Sequence, residues 1–309
     1  MRTTMNFKNT EKNNNFLITT NKKEKSEMNN TFLNSRGHHN VNRNDLKMVR
    51  IPEATKSYSP IGHVKLINKV EKVVLGELPN FELLKEDHRV SCNGDLLNTK
   101  LTLAPKGIDI DVMPKDMLMG GITIVNSYNK WTPVTIGAGA NVLVCTNGMT
   151  AWDGVIFARK HTPNMMEDII TYAKMASKLM VARLEQFEND KINLMKTELS
   201  DDDGNGIIGK LIGREVLTPT AANIAFKDWK NARHSVFSKK NMWSLYNCAN
   251  EGLKKVDNYS SLSAHCSLHH YMTNGFDKDG MLEKVKAEVK GMKSNGYKDY
   301  ESKDAIAIA

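Results

Sequence analysis

Apolar side chains recur every three or four positions after Asn164: Met165, Ile169, Ile170, Ala173, Ala176, Met180, Leu184 and Phe187 form one stripe. The spacing predicts a long amphipathic helix over about residues 165–195, with Asn164 and Glu167 placed as a capping box. A shorter helix is expected over residues 63–75, where Leu66, Ile67, Val70, Val73 and Val74 share a face. Between the two the period changes. β-Branched residues cluster at 121–125, 134–136 and 141–145, separated by Gly, Pro and Asn, which predicts consecutive antiparallel strands and a further one near 155–159. Asn93-Gly94 marks a hairpin between strands near 89–92 and 99–103, and Asn147-Gly148 is a second turn signal. The small residues Gly137-Ala138-Gly139-Ala140 are expected to form a bulge or turn between two short strands.

Beyond the long helix the pattern stays helical. Thr218-Pro219 reads as a capped start for a helix through Arg233. Residues 238–256 follow, with Met242, Leu245, Tyr246, Ala249 and Leu253 as the stripe and Lys254 and Lys255 complementing the C-terminal dipole. Met281, Leu282, Val285, Val289 and Met292 mark a last amphipathic helix. The class is therefore α+β: an antiparallel sheet (sheet-rich 85–160) packed against a long helix, with a helical C-terminal section (164–295). Residues 49–295 are expected to form a single domain, and 296–309 a flexible end.

Composition changes this picture at the N-terminus. Of the net charge of +8 on 309 residues, the first fifty carry ten Lys and Arg against four Asp and Glu, which leaves +2 for the rest. That stretch is rich in Asn, Lys, Ser and Thr and short of apolar residues, so residues 1–48 are expected to be a disordered basic tail. No apolar run reaches the ~18 residues of a membrane span, and no signal-peptide centre stands near the start. Cys92, Cys145, Cys248 and Cys266 show no C-x-x-C spacing, which predicts a reduced, cytoplasmic protein.

The segment Asn126-Ser127-Tyr128, followed by Val144-Cys145-Thr146-Asn147-Gly148, resembles the signature of a phage and plasmid-borne family known as domain of unknown function number 932. The helical stretch Trp243-Ser244-Leu245-Tyr246-Asn247 is similar to that family's late Trp-x-x-x-Asn element, and Ser57-Tyr58-Ser59-Pro60-Ile61 also fits. The resemblance spans about residues 50–260 and implies a bacterial host, but it carries no settled activity. Members commonly place Gly after Asn-Ser-x-x, where this chain has Lys130. Asn126, Ser127, Cys145, Thr146, Asn147, Gly148, Trp243 and Asn247 are its signature positions. From chemistry alone, the strand-end Asn, Ser and Thr would bond to nearby backbone. Trp243 would pack, with the Asn247 amide bonding a neighbouring loop.

Candidate chemistry is thin. Asp201, Asp203, Asn205 and Gly206 open like a calcium loop, but the twelfth position is Ile212 in place of a bidentate carboxylate. His265 and His269 at i, i+4 could share a zinc ion, yet Cys266 stands where a zinc-protease helix has its Glu. Cys145 lacks a cue for an activating base, and no phosphate-cradling glycine loop occurs. No catalytic group, metal or cofactor is assigned. Two function classes remain. One is a nucleic-acid-binding accessory protein, acting on single strands by binding or annealing them, with Tyr128, Lys130, Trp131, Trp152, Arg159 and Lys160 as stacking and phosphate surface. The alternative is a protein-binding module that engages or inhibits a host protein, engages a phage protein, or forms a homo-oligomer. Exposure of Trp131 and Trp152 beside Lys130 and Lys160 would favour the first.

Overall fold

The computed structural model describes residues 31–35, 37–109, 111–142, 150–151, 156–254 and 261–275. Among the described residues seven strands form one antiparallel sheet: β1 (His39–Val41), β2 (Phe81–Ser91), β3 (Leu96–Pro105), β4 (Leu118–Ser127), β5 (Val134–Val142), β6 (Thr150–Ala151) and β7 (Ile156–Arg159). Their order is β1-β2-β3-β4-β5-β6, and β7 pairs with β5 as well. Helices α1 (Arg43–Leu46) and α2 (His63–Glu77) precede β2, and α3 (Met165–Lys196) follows β7. Four more close the described chain: α4 (Asp201–Gly213), α5 (Pro219–Lys230), α6 (Met242–Leu253) and α7 (Ser261–Asn274).

The strand pleat divides β3 into two faces. Leu97, Leu101 and Leu103 point into a core shared with Ile122 and Ile124 of β4, Ile136 of β5, and the inner stripes of α2 and α3. Burying each such side chain contributes roughly 1.5–3 kcal/mol, so this layer is the main reason the sheet and the long helix stay together. The expected stripes are seen: Leu66, Ile67, Val70 and Val74 of α2, and Met165, Ile169, Ala173, Ala176, Met180 and Phe187 of α3, are buried. The C-terminal half of α3 enters a second core with α4–α7, through Phe187 and Leu194 against Ile208, Leu211, Trp229 and Leu245. At the crossing of α5 and α6, a Cβ on Gly252 would overlap the Ala221 carbonyl oxygen, so the close approach requires glycine there.

Several expectations change. Residues 134–142 form one strand, β5, running through Gly137-Ala138-Gly139-Ala140 without a turn, because β4 on one side and β6 and β7 on the other supply ladder partners. Asn164 precedes α3 but does not cap it: its backbone sits at φ −91°, ψ 7°, outside the extended region that aims a cap side chain back at the helix. The acidic run Asp201-Asp202-Asp203 is the first turn of α4, where Ser200 and Asp203 form the capping box and the carboxylates face the positive dipole end. Residues placed in the tail by composition include a 3-10 turn (Thr31–Asn34), the edge strand β1 and α1. Phe32 and Leu46 reach the core, and Arg43 ion-pairs with both Glu71 and Glu86. The predicted helix over 281–292, the 143–149 turn and the polar end lie outside the described residues. Among the described residues no helix is long and apolar enough to cross a membrane.

Candidate functional site

Strand β4 ends in Asn126 and Ser127, and pairing with β3 turns Asn126 toward the interior opposite Leu97. The Asn126 side chain is fully buried and uses both ends. Its Nδ2 donates to the Ile61 carbonyl and to His63 Nδ1, each at 3.0 Å, and its Oδ1 accepts from His161 Nε2 at 2.8 Å. His63 opens α2, and because Nδ1 is an acceptor its Nε2 carries the proton, donated to the Gly94 carbonyl at 2.9 Å. Burial drives His63 down to about 4, against the opposing pull of the Gly94 carbonyl, and burial does the same to His161. Both rings are neutral near pH 7.

Tyr128 continues this network. Its ring stacks on His63 at 4.1 Å and 10°, its Oη accepts from the His63 backbone N–H at 2.9 Å, and its carbonyl accepts from Tyr58 Oη at 3.0 Å. Burial pushes the Tyr128 hydroxyl up to about 12. The expectation that Tyr128 offers a face to a base is corrected by this packing: the residue is buried, with its ring against His63.

That loop is braced by Ser127, whose Oγ donates to the Thr132 carbonyl at 2.7 Å and accepts from the Thr132 N–H at 3.2 Å. Within it, Asn129 Oδ1 accepts from the Trp131 N–H at 3.1 Å. Lys130 sits in the left-handed region at φ 64°, a conformation that glycine adopts without strain. Its Nζ lies 4.5 Å from the centre of the Tyr58 ring. Trp131 is 64% exposed. Lys160 is exposed too, whereas Arg159 pairs with Asp168 at 2.6 Å. Cys145, Thr146, Asn147, Gly148 and Trp152 lie outside the described residues.

The other sequence candidates resolve into packing. Asn247 Nδ2 donates at 2.7 Å to the Trp243 carbonyl one turn back on α6, not to a neighbouring loop. Trp243 is buried between Phe237 and Tyr246. His265 and His269 turn to different partners: His265 Nδ1 is 3.0 Å from Asn250 Oδ1, while His269 Nδ1 is 3.4 Å from Tyr246 Oη. Among the described residues no three His, Cys, Asp or Glu side chains come together as a metal site.

Sequence reasoning missed a cleft of about 470 Å³ between β1–β3 and the helical layer α5–α7. The face of β3 opposite the core contributes Asn98 and Lys100, and β2 adds Asp87 and Arg89 in cross-strand register with them. Lys254 and His265 close it from the helical layer. Lys100 is half-buried where it lines the cleft. Burial lowers its amine to about 7; the cations Lys254, Arg89 and Lys85 add to the effect and Asp87 opposes it. Burial also holds His265 well below its usual value. The signal was present as an alternation: in Leu97-Asn98-Thr99-Lys100-Leu101 the polar residues at every second position form a face that is not core.

The family model described as Domain of unknown function (DUF932) matches residues 56–294. No curated protein and no solved structure matches the chain.

Proposed function

Because the chain belongs to the DUF932 family, whose description assigns no function, we propose that it binds single-stranded nucleic acid through the loop 127–132, as an accessory protein of the phage or plasmid type. One observation carries this reading: Trp131 holds an exposed indole on a loop braced by Ser127 and Thr132, next to a lysine kept in a left-handed conformation. A bulky non-glycine residue at that φ costs about 1 kcal/mol, and strain of this kind concentrates at functional loops. A solvent-facing indole suits stacking on a base of any identity, with Lys130 supplying charge to the phosphates. Lys160 extends the basic surface; it precedes His161, whose ring is 5.6 Å from that of Tyr58, the ring beneath Lys130.

The test is binding of labelled single- and double-stranded DNA across a salt series, using the full chain, Trp131→Ala and a version truncated before Thr31. Truncation nearer residue 49 would remove β1 and α1. A salt-dependent affinity that survives truncation and drops about tenfold in Trp131→Ala supports the reading. Binding that is lost with the tail and indifferent to Trp131 refutes it.

Protein binding is the second reading, favoured by the outer side of α3. Val181, Ile192 and Met195 are 44%, 46% and 40% exposed, and their spacing places them along one line of the helix. A contact with a host or phage protein, or with a second copy of this chain, would use that line. Ile192→Lys would then dissociate an assembly seen by sedimentation of the native protein.

A further inference from the structure

The loop 127–132 adjoins the first turn of α2. His63 opens that helix, its ring lies on Tyr128, and its backbone N–H donates to the Tyr128 hydroxyl at 2.9 Å. Lys130, two residues on, reaches over Tyr58, which leads into α2 through residues 59–62. Beyond this junction α2 carries Lys65, Lys69 and Lys72 at spacings of four and three residues. That spacing puts them on one face, over about 10 Å of helix.

This ridge is not neutralised. Lys65 and Lys72 are exposed and Lys69 is half-buried, and none of the three has an ion-pair partner among the described residues. The positions three and four away from each lysine hold no Asp or Glu. The acids of α2 are taken up elsewhere, Glu71 by Arg43 and Glu77 by Lys174. Like charges one turn apart repel, so the ridge weakens α2 until an anion lies along it. Arg50 and Ile51 join it at the helix start. Ile51 is 50% exposed and lies so close over Gly62 that a Cβ there would meet its Cδ1 at 2.8 Å, with Lys65 Cβ 4.0 Å from the same point. Arg50 is exposed, and among the described residues neither it nor the lysines pair with Glu53 of the same segment. No side chain caps α2 at Gly62, so the positive end of its dipole faces this junction as well.

We propose that the ridge is the phosphate track of a single nucleic-acid strand whose base stacks on Trp131, the backbone running past Arg50 and along Lys65, Lys69 and Lys72. The track presupposes the single-strand reading of the loop and adds to it the path and the length of the strand. Lysine suits the part, because each ammonium is a flexible point charge that follows a backbone without reading sequence. A row one lysine wide, continuous with an exposed indole, fits a strand better than the plane of a membrane.

The experiment measures fluorescence anisotropy of labelled oligothymidylates of about 4 and about 16 nucleotides with the full-length protein across a salt series. Native protein is compared with Trp131→Ala, with the triple variant Lys65→Gln, Lys69→Gln, Lys72→Gln, and with the same three positions changed to Arg. The Gln triple should bind the long strand at least about tenfold more weakly at low salt, with the log–log salt slope reduced by about two units, and bind the short strand as the native protein does. The Arg triple should restore the slope, and the Gln triple should melt no lower than native, since repulsion is removed. A long-strand slope unchanged in the Gln triple, with Trp131→Ala still weakening both strands, would overturn the track and leave the loop reading standing. A slope lost in the Gln triple with no effect of Trp131→Ala would break the continuous path and the loop reading with it. No binding of either strand would overturn both. Binding of the native protein to phosphatidylserine vesicles that the Gln triple loses, with strand binding unchanged, would overturn the track in favour of a membrane surface.

Discussion

Asn126 and His63 set each other's hydrogen-bonding direction: the amide donates to Nδ1 at 3.0 Å, which obliges the imidazole to keep its proton on Nε2 for the Gly94 carbonyl. A carboxamide is the one group of this size that can donate twice and accept once here, to Ile61, His63 and His161. The contact ties β4, the β2–β3 turn, the start of α2 and the approach to α3 into a single unit beneath the exposed loop.

Asn126→Ala should therefore destabilise the protein by about 3 kcal/mol, since three buried partners lose their bonds together. Urea unfolding of native and variant proteins checks this; a loss below about 1 kcal/mol would mean that the partners find other bonds.

Acid should weaken the fold before most carboxylates titrate. His63 and His161 are depressed to about 4 in the folded state against 6.5 when unfolded, so between these values the unfolded chain binds more protons. Stability is then complete above pH 6.5 and falls as pH drops toward 4, by roughly 3 kcal/mol per histidine. Denaturation midpoints at pH 7 and pH 4.5 measure the slope, and His161→Gln should flatten it.

Lys130→Gly separates conformation from charge. Relief of the left-handed strain at φ 64° should raise stability by about 1 kcal/mol, while removal of the ammonium should weaken single-strand binding and reduce its salt slope by about one unit. Thermal melting and a salt titration on the same variant read the two effects. Equal binding by both proteins would remove Lys130 from the proposed surface.

Gly252→Ala should cost about 2 kcal/mol or more, because the added methyl meets the Ala221 backbone carbonyl, which cannot swing aside as a side-chain tip could. A denaturation midpoint like that of the native protein would show that α5 can shift away from α6.

How much of this could be read from the chain differs by element. The α2 and α3 stripes, the Asn93-Gly94 turn with φ 61° and 89°, and the Thr218 cap on Ala221 match their sequence signals. Each arises from side-chain periodicity or backbone preference acting within a few residues. The signature pair Asn126-Ser127 was recognisable as unusual, but not its partners, because His63 and His161 are 63 and 35 residues away in sequence.

Local pattern alone therefore determined the class, the principal helices, the β2–β3 hairpin and the polar alternation of β3. Tertiary structure decided the rest. Adjacent loop residues part company, with Tyr128 locked under His63 and Trp131 left in solvent. β5 runs straight through a glycine-rich stretch because strands on both sides complete its hydrogen bonds. The Lys100 amine is depressed by protein packed around it and by Lys254, which is distant in sequence. Burial and electrostatic fields sum over whatever the fold brings close, and that sum is absent from any window of neighbouring residues.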